Sequence, residues 1–459
     1  MFLWDDKMKT KKFLKKLGIK SKIKGKITHL SLSNDHLDSK TAFIALKGQY
    51  HDALTDVNQK NLQNVGIVLT YKEMFHPKII YIQNLKYRLS QMVSILYPQL
   101  LKNVSVIGVC GTCGKTTTAT MITHLLKNNK QRVAYIGTGK IQYEDEEILT
   151  NNTTLNPIEF VHHFLNFKSK PQYLVLEVSS HAILENRINF IHFNALVFTN
   201  FSQDHLDFHL NMTNYFEVKK SLFLTLSKKD VAIINIDDKK GMDLIASVHS
   251  NVITYGKTFG KYTLKDYSRE DVLSYNQYNL LATYALGKYF NIQEAIIQKT
   301  LDEYSFDLGR SQILYDKKFM VILDYAHTPN ALKNLLMALK KQYQRKITLV
   351  FGCGGNRDKQ KRKIMGKIAM QYATKTILTN DNPRDENPQD IIQDILKSGL
   401  QAKVILSRKE AIDYSITHAK ENDIIAIVGK GNEDFQLIKQ QKILHNDKQC
   451  ILERLKSYE

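Results

Sequence analysis

The run Gly108-Val109-Cys110-Gly111-Thr112-Cys113-Gly114-Lys115-Thr116-Thr117 constrains this chain more than any other feature. A β-branched stretch, residues 104–109, leads into it, and a helical pattern, residues 116–129, leads out. A strand that ends in a glycine-rich turn and opens a helix is a phosphate cradle. Glycines let successive N–H groups point at one anion, and the helix N-terminus adds partial positive charge. Lys115 is expected to reach the terminal phosphates, and the Thr116 hydroxyl to hold Mg²⁺. Val109 stands where the strict motif has its first glycine, so the match is to a shorter GTxGKT form. A chance GKT in a loop would lack the flanking strand and helix. Cys110 and Cys113 make a CxxC within the turn, but no second ligand pair accompanies them, so they read as ordinary small residues.

Around this loop the pattern is α/β. Apolar runs of strand length recur at 133–136, 173–178, 195–198 and 231–236, separated by polar or helical segments. That alternation predicts a mainly parallel sheet with crossover helices. The pattern restarts around Phe306-Asp307-Leu308-Gly309-Arg310, with strands expected at 320–325, 347–351, 376–378, 404–406 and 424–428 and helices at 329–341 and 390–396. This is a second, doubly wound unit. The first hundred residues hold shorter apolar runs at 42–46 and 65–69 and an amphipathic segment at 85–97. A length of 459 residues suits about three domains, here 1–100, 101–307 and 308–459.

Composition narrows the class. Hydrophobic residues at 43% and charged residues at 24% exclude a wholly disordered chain. No apolar run approaches the roughly 18 residues of a membrane span, and the start, MFLWDDKMKTKKFLKK, lacks a signal peptide's apolar core. Four scattered cysteines fit a reduced, cytoplasmic protein. Basic residues, 65 against 45 acidic ones, leave a net charge of +20, which suggests anionic partners. Lysines are spread along the chain with local clusters at 7–16 and 359–363, and no aromatic-interleaved basic motif of an RNA-binding module is seen, so nucleotides or phosphorylated substrates are expected rather than nucleic acid.

Two acidic clusters bear on metal binding. Glu177 closes the run 173–178, and ligands of parallel sheets sit beyond the carboxyl ends of strands. A carboxylate there is placed to hold Mg²⁺ opposite Thr116. The segment 199–209 offers Asp204, His205, Asp207 and His209 without zinc spacing; residue types alone leave a polar loop and a metal site equally open. An amphipathic helix is expected at 215–223, and nothing in its pattern singles out Lys219 from a solvated face.

Taken in order, GTCGKTTT, LEVSSHA, FTNFSQDHLDFH, YFEVKKSLF, LDYAHTPNAL, FGCGGNRDKQKR, DNPRDENP and GKGNEDFQ span residues 108–435. This set resembles the Mur ligases, ATP-dependent amide-forming enzymes of peptidoglycan synthesis, and within them the type that extends UDP-N-acetylmuramoyl-dipeptide. The resemblance implies an N-terminal uridine-nucleotide domain, a central P-loop ATPase domain and a C-terminal Rossmann-like domain. It implies ATP contacts from Gly111, Thr112, Cys113, Gly114, Lys115, Thr116, Thr117, Asn279, Arg310 and Asp324. It assigns Asn34, Asn152, Thr153, Thr154, Ser179, Glu185 and Arg187 to the UDP-muramoyl-dipeptide. Arg357, Asp381, Asn382, Pro383, Arg384, Gly429 and Glu433 fall to the incoming amino acid. Thr116, Glu177, His205 and Lys219, the last as a CO₂-derived carbamate, take the Mg²⁺ places; Lys115, Glu177, His205 and Lys219 form the catalytic set. A monomer is expected.

Arg384 bears on the amino acid. A guanidinium pairs bidentately with a carboxylate, and meso-2,6-diaminopimelate carries one at its far end where lysine has none. The alternative is that Asp385 or Glu386 satisfies Arg384 internally. The chain also departs from the family pattern at Asn34 (usually Ser), Asp35 (Arg), Cys113 (Asn), Leu155 (Pro), Glu185 (Gln) and Asn432 (His). Glu185 adds negative charge beside an anionic sugar nucleotide. Competing readings are the same ligase using L-lysine, a folylpolyglutamate-synthetase-like ligase, a nucleic-acid-binding P-loop ATPase and a non-catalytic UDP-sugar-binding regulator.

Overall fold

A computed structural model describes residues 8–48, 51–150, 152–306, 309–439 and 441–458. The expected boundary at 307 and the first lysine of the N-terminal cluster, Lys7, lie outside the described residues. Runs rich in Val, Ile and Leu form strands buried on both faces, as parallel sheets require. In the middle of the chain eight strands make one sheet. Its parallel part runs Val133–Gly137, Tyr173–Val178, Ser105–Cys110, Ala195–Phe198, Val231–Asn235 and Asn251–Tyr255 in spatial order. Two antiparallel strands, Lys140–Tyr143 and Glu146–Leu149, extend one edge.

The register decides where the site lies. Glu177 pairs with Val109 and Val178 with Cys110, so the acid stands level with the start of the phosphate loop. Phe198 also pairs with Cys110, which delivers the segment after residue 198 to the loop's other side. Helix Lys115–Asn128 packs against Asn276–Tyr289 over one face of the sheet. On the other face a single apolar cluster runs from Val106 and Leu174 through Phe160 and Val161 to Met92, Leu89 and Phe13. That cluster fuses the N-terminal unit, a four-stranded parallel sheet of His29–Ser31, Thr41–Ala45, Ile67–Thr70 and Ile79–Tyr81, to the central one.

The third sheet has six strands. Met320–Asp324, Ile424–Val428, Ile347–Phe351, Lys375–Leu378 and Lys403–Val404 are parallel, with Gln312–Asp316 antiparallel on one edge. Asp324 pairs with Val428, so Gly429 begins where Asp324 ends. A separate hairpin, Phe435–Ile438 with Gln441–Leu444, follows. The segment expected to be amphipathic at 85–97 divides into a 3₁₀ turn, Leu85–Arg88, and helix Leu89–Leu96. Among the described residues no helix is long and apolar enough to cross a membrane.

Candidate active site

The phosphate loop is held from outside as well as by its glycines. Gly111 has φ 153° and Gly114 φ 82°, and a Cβ on Gly111 would lie 1.9 Å from Thr199 Oγ1. Asn200 accepts from the Cys113 N–H at 3.0 Å and donates to the Cys113 carbonyl at 3.0 Å. Asn279 accepts from Thr118 Oγ1 at 3.1 Å, beside Gly114. Lys115 Nζ donates to the carbonyls of Gly111 (3.0 Å) and Thr112 (2.9 Å). The four cysteines are free thiols, in keeping with two small loop residues at 110 and 113.

A cleft of about 560 Å³ opens in front of the loop. Thr112 to Thr117, Thr138, Thr153, Glu177, Asp204, His205 and Asn279 line it from the central unit; Arg310, Asp324, Tyr325 and His327 line it from the C-terminal unit. Glu177 is fully buried yet fully satisfied. Its Oε1 accepts from Tyr135 Oη (2.6 Å) and the Thr138 N–H (2.9 Å), and its Oε2 accepts from Thr116 Oγ1 (2.9 Å) and Thr138 Oγ1 (3.2 Å). One oxygen is therefore anchored, and the other is met only by hydroxyls that can rotate away. A carboxylate and a threonine hydroxyl are hard oxygen donors and fit Mg²⁺. His205, at φ 54°, lines the same cleft, with its Nε2 3.3 Å from Asp204 Oδ2. Burial, with His181, Lys115 and His327 nearby, lowers its pKa to about 3. It is therefore neutral at pH 7 and offers a lone pair. Among the described residues no three His, Cys, Asp or Glu side chains converge on one metal position.

Lys219 lies beneath the loop and outside the cleft lining, 1% exposed, on helix Met212–Phe223. Its Nζ donates to the Gly111 carbonyl at 2.9 Å and sits 4.7 Å from the Tyr215 ring centroid, and burial pushes its pKa down. Among the described residues no carboxylate pairs with it, and a buried lysine so placed favours the neutral amine that adds to CO₂.

The other expected groups divide. Thr153 meets Thr138 Oγ1 at 3.2 Å on the cleft wall, and Thr154 donates to the Glu177 carbonyl at 2.8 Å. Asn152 is exposed nearby. Ser179 accepts from the Ala182 N–H at 3.2 Å, so its hydroxyl caps helix Ser180–Leu184. Arg187 donates to the Thr154 carbonyl at 3.0 Å and pairs with Glu185 at 2.5 Å. Glu185 also takes Lys86 Nζ at 2.5 Å. Burial raises the Glu185 carboxyl, but the two cations hold it below its ordinary value. The charge at 185 is thus balanced by two cations, Lys86 and Arg187. Asn34 sits in an exposed turn whose Ser33 Oγ donates to Asp35 at 2.7 Å, away from the cleft lining.

The residues expected to meet the incoming amino acid lie on the turns after the C-terminal strands. Arg384, at φ 51°, donates to the carbonyls of Gly355 (2.8 Å) and Asn382 (3.4 Å). Neither Asp385 nor Glu386 satisfies it; Glu386 is taken by Arg362 at 2.9 Å and by the Asn356 N–H at 2.6 Å. Burial and the neighbouring Arg357 lower the Arg384 pKa, against the opposing pull of Asp381 and Glu433. Pro383 turns its carbonyl to within 1.9 Å of where a Gly355 Cβ would stand, and Gly429, at φ 112°, admits the Asp381 carboxylate. Glu433 accepts from Asn382 Nδ2 (3.0 Å), Lys430 Nζ (2.6 Å) and Tyr325 Oη (3.0 Å). Sequence reasoning missed Asn200, Asp204's place in the cleft, Tyr325, His327 and Lys430. Each lies inside one of the quoted motifs, but the contacts that give it a role come from other elements.

Comparison with known proteins agrees with this geometry. The Mur ligase middle domain matches residues 109–297, and the Mur ligase glutamate ligase domain matches residues 309–431. A "UDP-N-acetylmuramoyl-L-alanyl-D-glutamate--2,6-diaminopimelate ligase" of Aquifex aeolicus (strain VF5) is 34% identical over 455 residues, covering 94% of each chain. The chain belongs to the Mur ligase family. The equally named protein of Clostridioides difficile (strain 630) is 33% identical over 474 residues, covering 94% of this Mur ligase and 96% of its own length. A solved structure of the same description is 26% identical, covers 97% of this chain and 99% of its own, and superposes with a TM-score of 0.63.

Proposed function

We propose that this Mur ligase joins meso-2,6-diaminopimelate to UDP-N-acetylmuramoyl-L-alanyl-D-glutamate at the expense of ATP, in the cytoplasm and as a monomer. The relatives' printed names support the substrate pair, and the phosphate loop supports ATP. For the acceptor the deciding observation is Arg384, a half-buried guanidinium whose side-chain hydrogen bonds among the described residues go to carbonyls alone. A distal carboxylate complements it; the ammonium of lysine does not.

A carboxylate is resonance-stabilised, anionic and lacks a leaving group, so it must be activated. In this reading the D-glutamyl carboxylate attacks the γ-phosphorus of ATP; a P–O bond forms, the β,γ-bridge breaks, and ADP leaves. Lys115 neutralises charge where the two anions meet, and the loop N–H groups fix the phosphates in line. Asn279, Arg310 and Asp324 position the nucleotide from both units. Thr116 and Glu177, with His205 and a carbamate on Lys219, would hold Mg²⁺, which when bound screens the repulsion between phosphate and carboxylate. The neutral amine of the acceptor, placed by Glu433, Asn382, Asp381, Gly429, Arg357 and Arg384, then attacks the acyl phosphate. Phosphate leaves and an amide remains. Thr153, Thr154, Asn152 and Arg187 would hold the muramoyl-dipeptide, with the units 1–100, 101–307 and 308–459 serving donor, ATP and acceptor in turn.

Phosphate release should require UDP-muramoyl-dipeptide and diaminopimelate together. With ¹⁸O in the donor carboxylate, one label should appear in the released phosphate. Unlabelled phosphate would sink the acyl-phosphate route, and a preference for lysine in a competition assay would sink the acceptor choice.

A further inference from the structure

A continuous set of contacts joins the phosphate loop to the acceptor pocket, and Tyr325 is its middle. Arg310 reaches across the cleft to donate to Thr116 Oγ1 at 3.1 Å, and its guanidinium lies 4.5 Å from the centroid of the Tyr325 ring. The backbone on either side of the ring is pinned: Asp324 accepts from the N–H groups of Ser311 (2.6 Å) and Ala326 (2.7 Å). The Tyr325 hydroxyl, kept protonated by burial, donates to Glu433 Oε1 at 3.0 Å. The other Glu433 oxygen is held by Lys430, itself fully buried, and by Asn382. Tyr325 thus faces a guanidinium that nucleotide binding would shift, because Thr116 Oγ1 would then serve Mg²⁺ and Arg310 would turn to phosphate oxygen. It also orients the Glu433 carboxylate on the acceptor side.

We propose that Tyr325 is a positioning residue that couples nucleotide occupancy to binding of the acceptor amino acid, its ring sensing Arg310 and its hydroxyl aiming Glu433. This rests on the reading of Glu433 as an acceptor contact. Coupling of this kind is reciprocal: whatever ATP does for the acceptor, the acceptor does for ATP.

The test measures acceptor binding to the full chain with UDP-muramoyl-dipeptide present, with and without the ATP analogue AMPPNP and Mg²⁺. Wild type should bind the acceptor several-fold more tightly with AMPPNP. Tyr325→Phe keeps the ring and removes the hydroxyl. It should raise the acceptor KM by about tenfold, as loss of one hydrogen bond to a charged group does. It should lose most of the AMPPNP effect, weaken AMPPNP binding by that same factor when acceptor is present, and leave AMPPNP affinity without acceptor within about twofold. Tyr325→Leu, which removes the ring as well, should raise the KM for both acceptor and ATP. Added to Glu433→Gln, Tyr325→Phe should have little further effect, because both act through one carboxylate. If Glu433→Gln raises the acceptor KM while Tyr325→Phe changes neither that KM nor the AMPPNP effect, the coupling role is wrong and the pocket reading survives. If Glu433→Gln leaves the acceptor KM untouched, the pocket reading fails and takes the coupling with it.

Discussion

Lys115 rests on two neutral carbonyls, so an arriving phosphate exchanges dipoles for a full charge. Lys115→Ala should lower turnover by about a thousandfold or more, as loss of a phosphoryl-transfer cation does, with the melting temperature nearly unchanged; product yield and a thermal melt check both. Arg384→Lys keeps the charge but loses the planar fork. Its expected effect is a rise of about 10- to 100-fold in the KM for diaminopimelate, with the KM for ATP unaffected, read by steady-state kinetics against each substrate. A third residue sets a pH limit on stability. His209 is buried, meets Ser180 Oγ at 2.9 Å, and burial, with His181 and Lys219, lowers its pKa to about 4. The unfolded chain therefore takes up this proton first, below about pH 6.5. Stability from a neutral His209 is complete above that value and falls between about 6.5 and 4, by up to about 1.4 kcal/mol per pH unit. Urea melts at pH 7, 6 and 5 should show the decline, and His209→Gln should flatten part of it.

At the scale of elements, strand ends do the placing. The parallel strands were legible because continuous Val, Ile and Leu runs bury both faces; Glu177 was found because it closes such a run, whereas Asp324 and Gly429 came only with the family resemblance. Edge strands were not legible: Glu146–Leu149 and Gln441–Leu444 are exposed along their whole length and carry charge and amide side chains. The hairpin holding Gln441–Leu444 matters all the same. Leu437 N–H donates to Asn382 Oδ1 at 2.9 Å and Gln436 Nε2 to the Asp381 carbonyl at 2.7 Å, so the hairpin fixes the acceptor turn. The turn itself, with Arg384 at positive φ, is set by such distant contacts and not by local pattern. Beneath it, Arg408 and Asp447 form a fully buried pair at 2.6 Å linking helices Arg408–Thr417 and Asp447–Leu455. Arg408 also donates to the carbonyls of Asn380 (3.2 Å) and Val428 (3.0 Å), the residues before Asp381 and Gly429. Asp447→Ala strands a buried guanidinium, which costs about 3–5 kcal/mol. A lowered melting temperature and a raised acceptor KM should appear together.

In the whole molecule the central and C-terminal units meet around one cleft, the N-terminal unit packs on the central one, and a few polar contacts cross between units. Gln203 Nε2 donates to Asp358 Oδ2 at 3.0 Å between the central and C-terminal units. On the donor side, Lys86 of the N-terminal unit pairs with Glu185 of the central one, and Ser90 Oγ donates to the Asn186 carbonyl beside it. The apolar cluster shared by these two units carries most of their cohesion, so the ion pair is free to serve binding. Glu185 ties up Lys86 and Arg187, and Arg187 is one of the residues proposed above to hold the anionic donor. The donor must therefore displace or share them, and part of the attraction expected from a net charge of +20 is spent internally. Glu185→Gln keeps the size and one acceptor oxygen but releases both charges. The expected outcome is a several-fold lower KM for UDP-muramoyl-dipeptide that shrinks as salt is raised, because the freed attraction is screened. Stability should fall by no more than about 1 kcal/mol, since the pair with Lys86 is largely exposed on the lysine side. Donor titrations at two ionic strengths decide it. A donor KM that rises in the variant would mean that Glu185 holds Arg187 in its binding pose instead of withholding it.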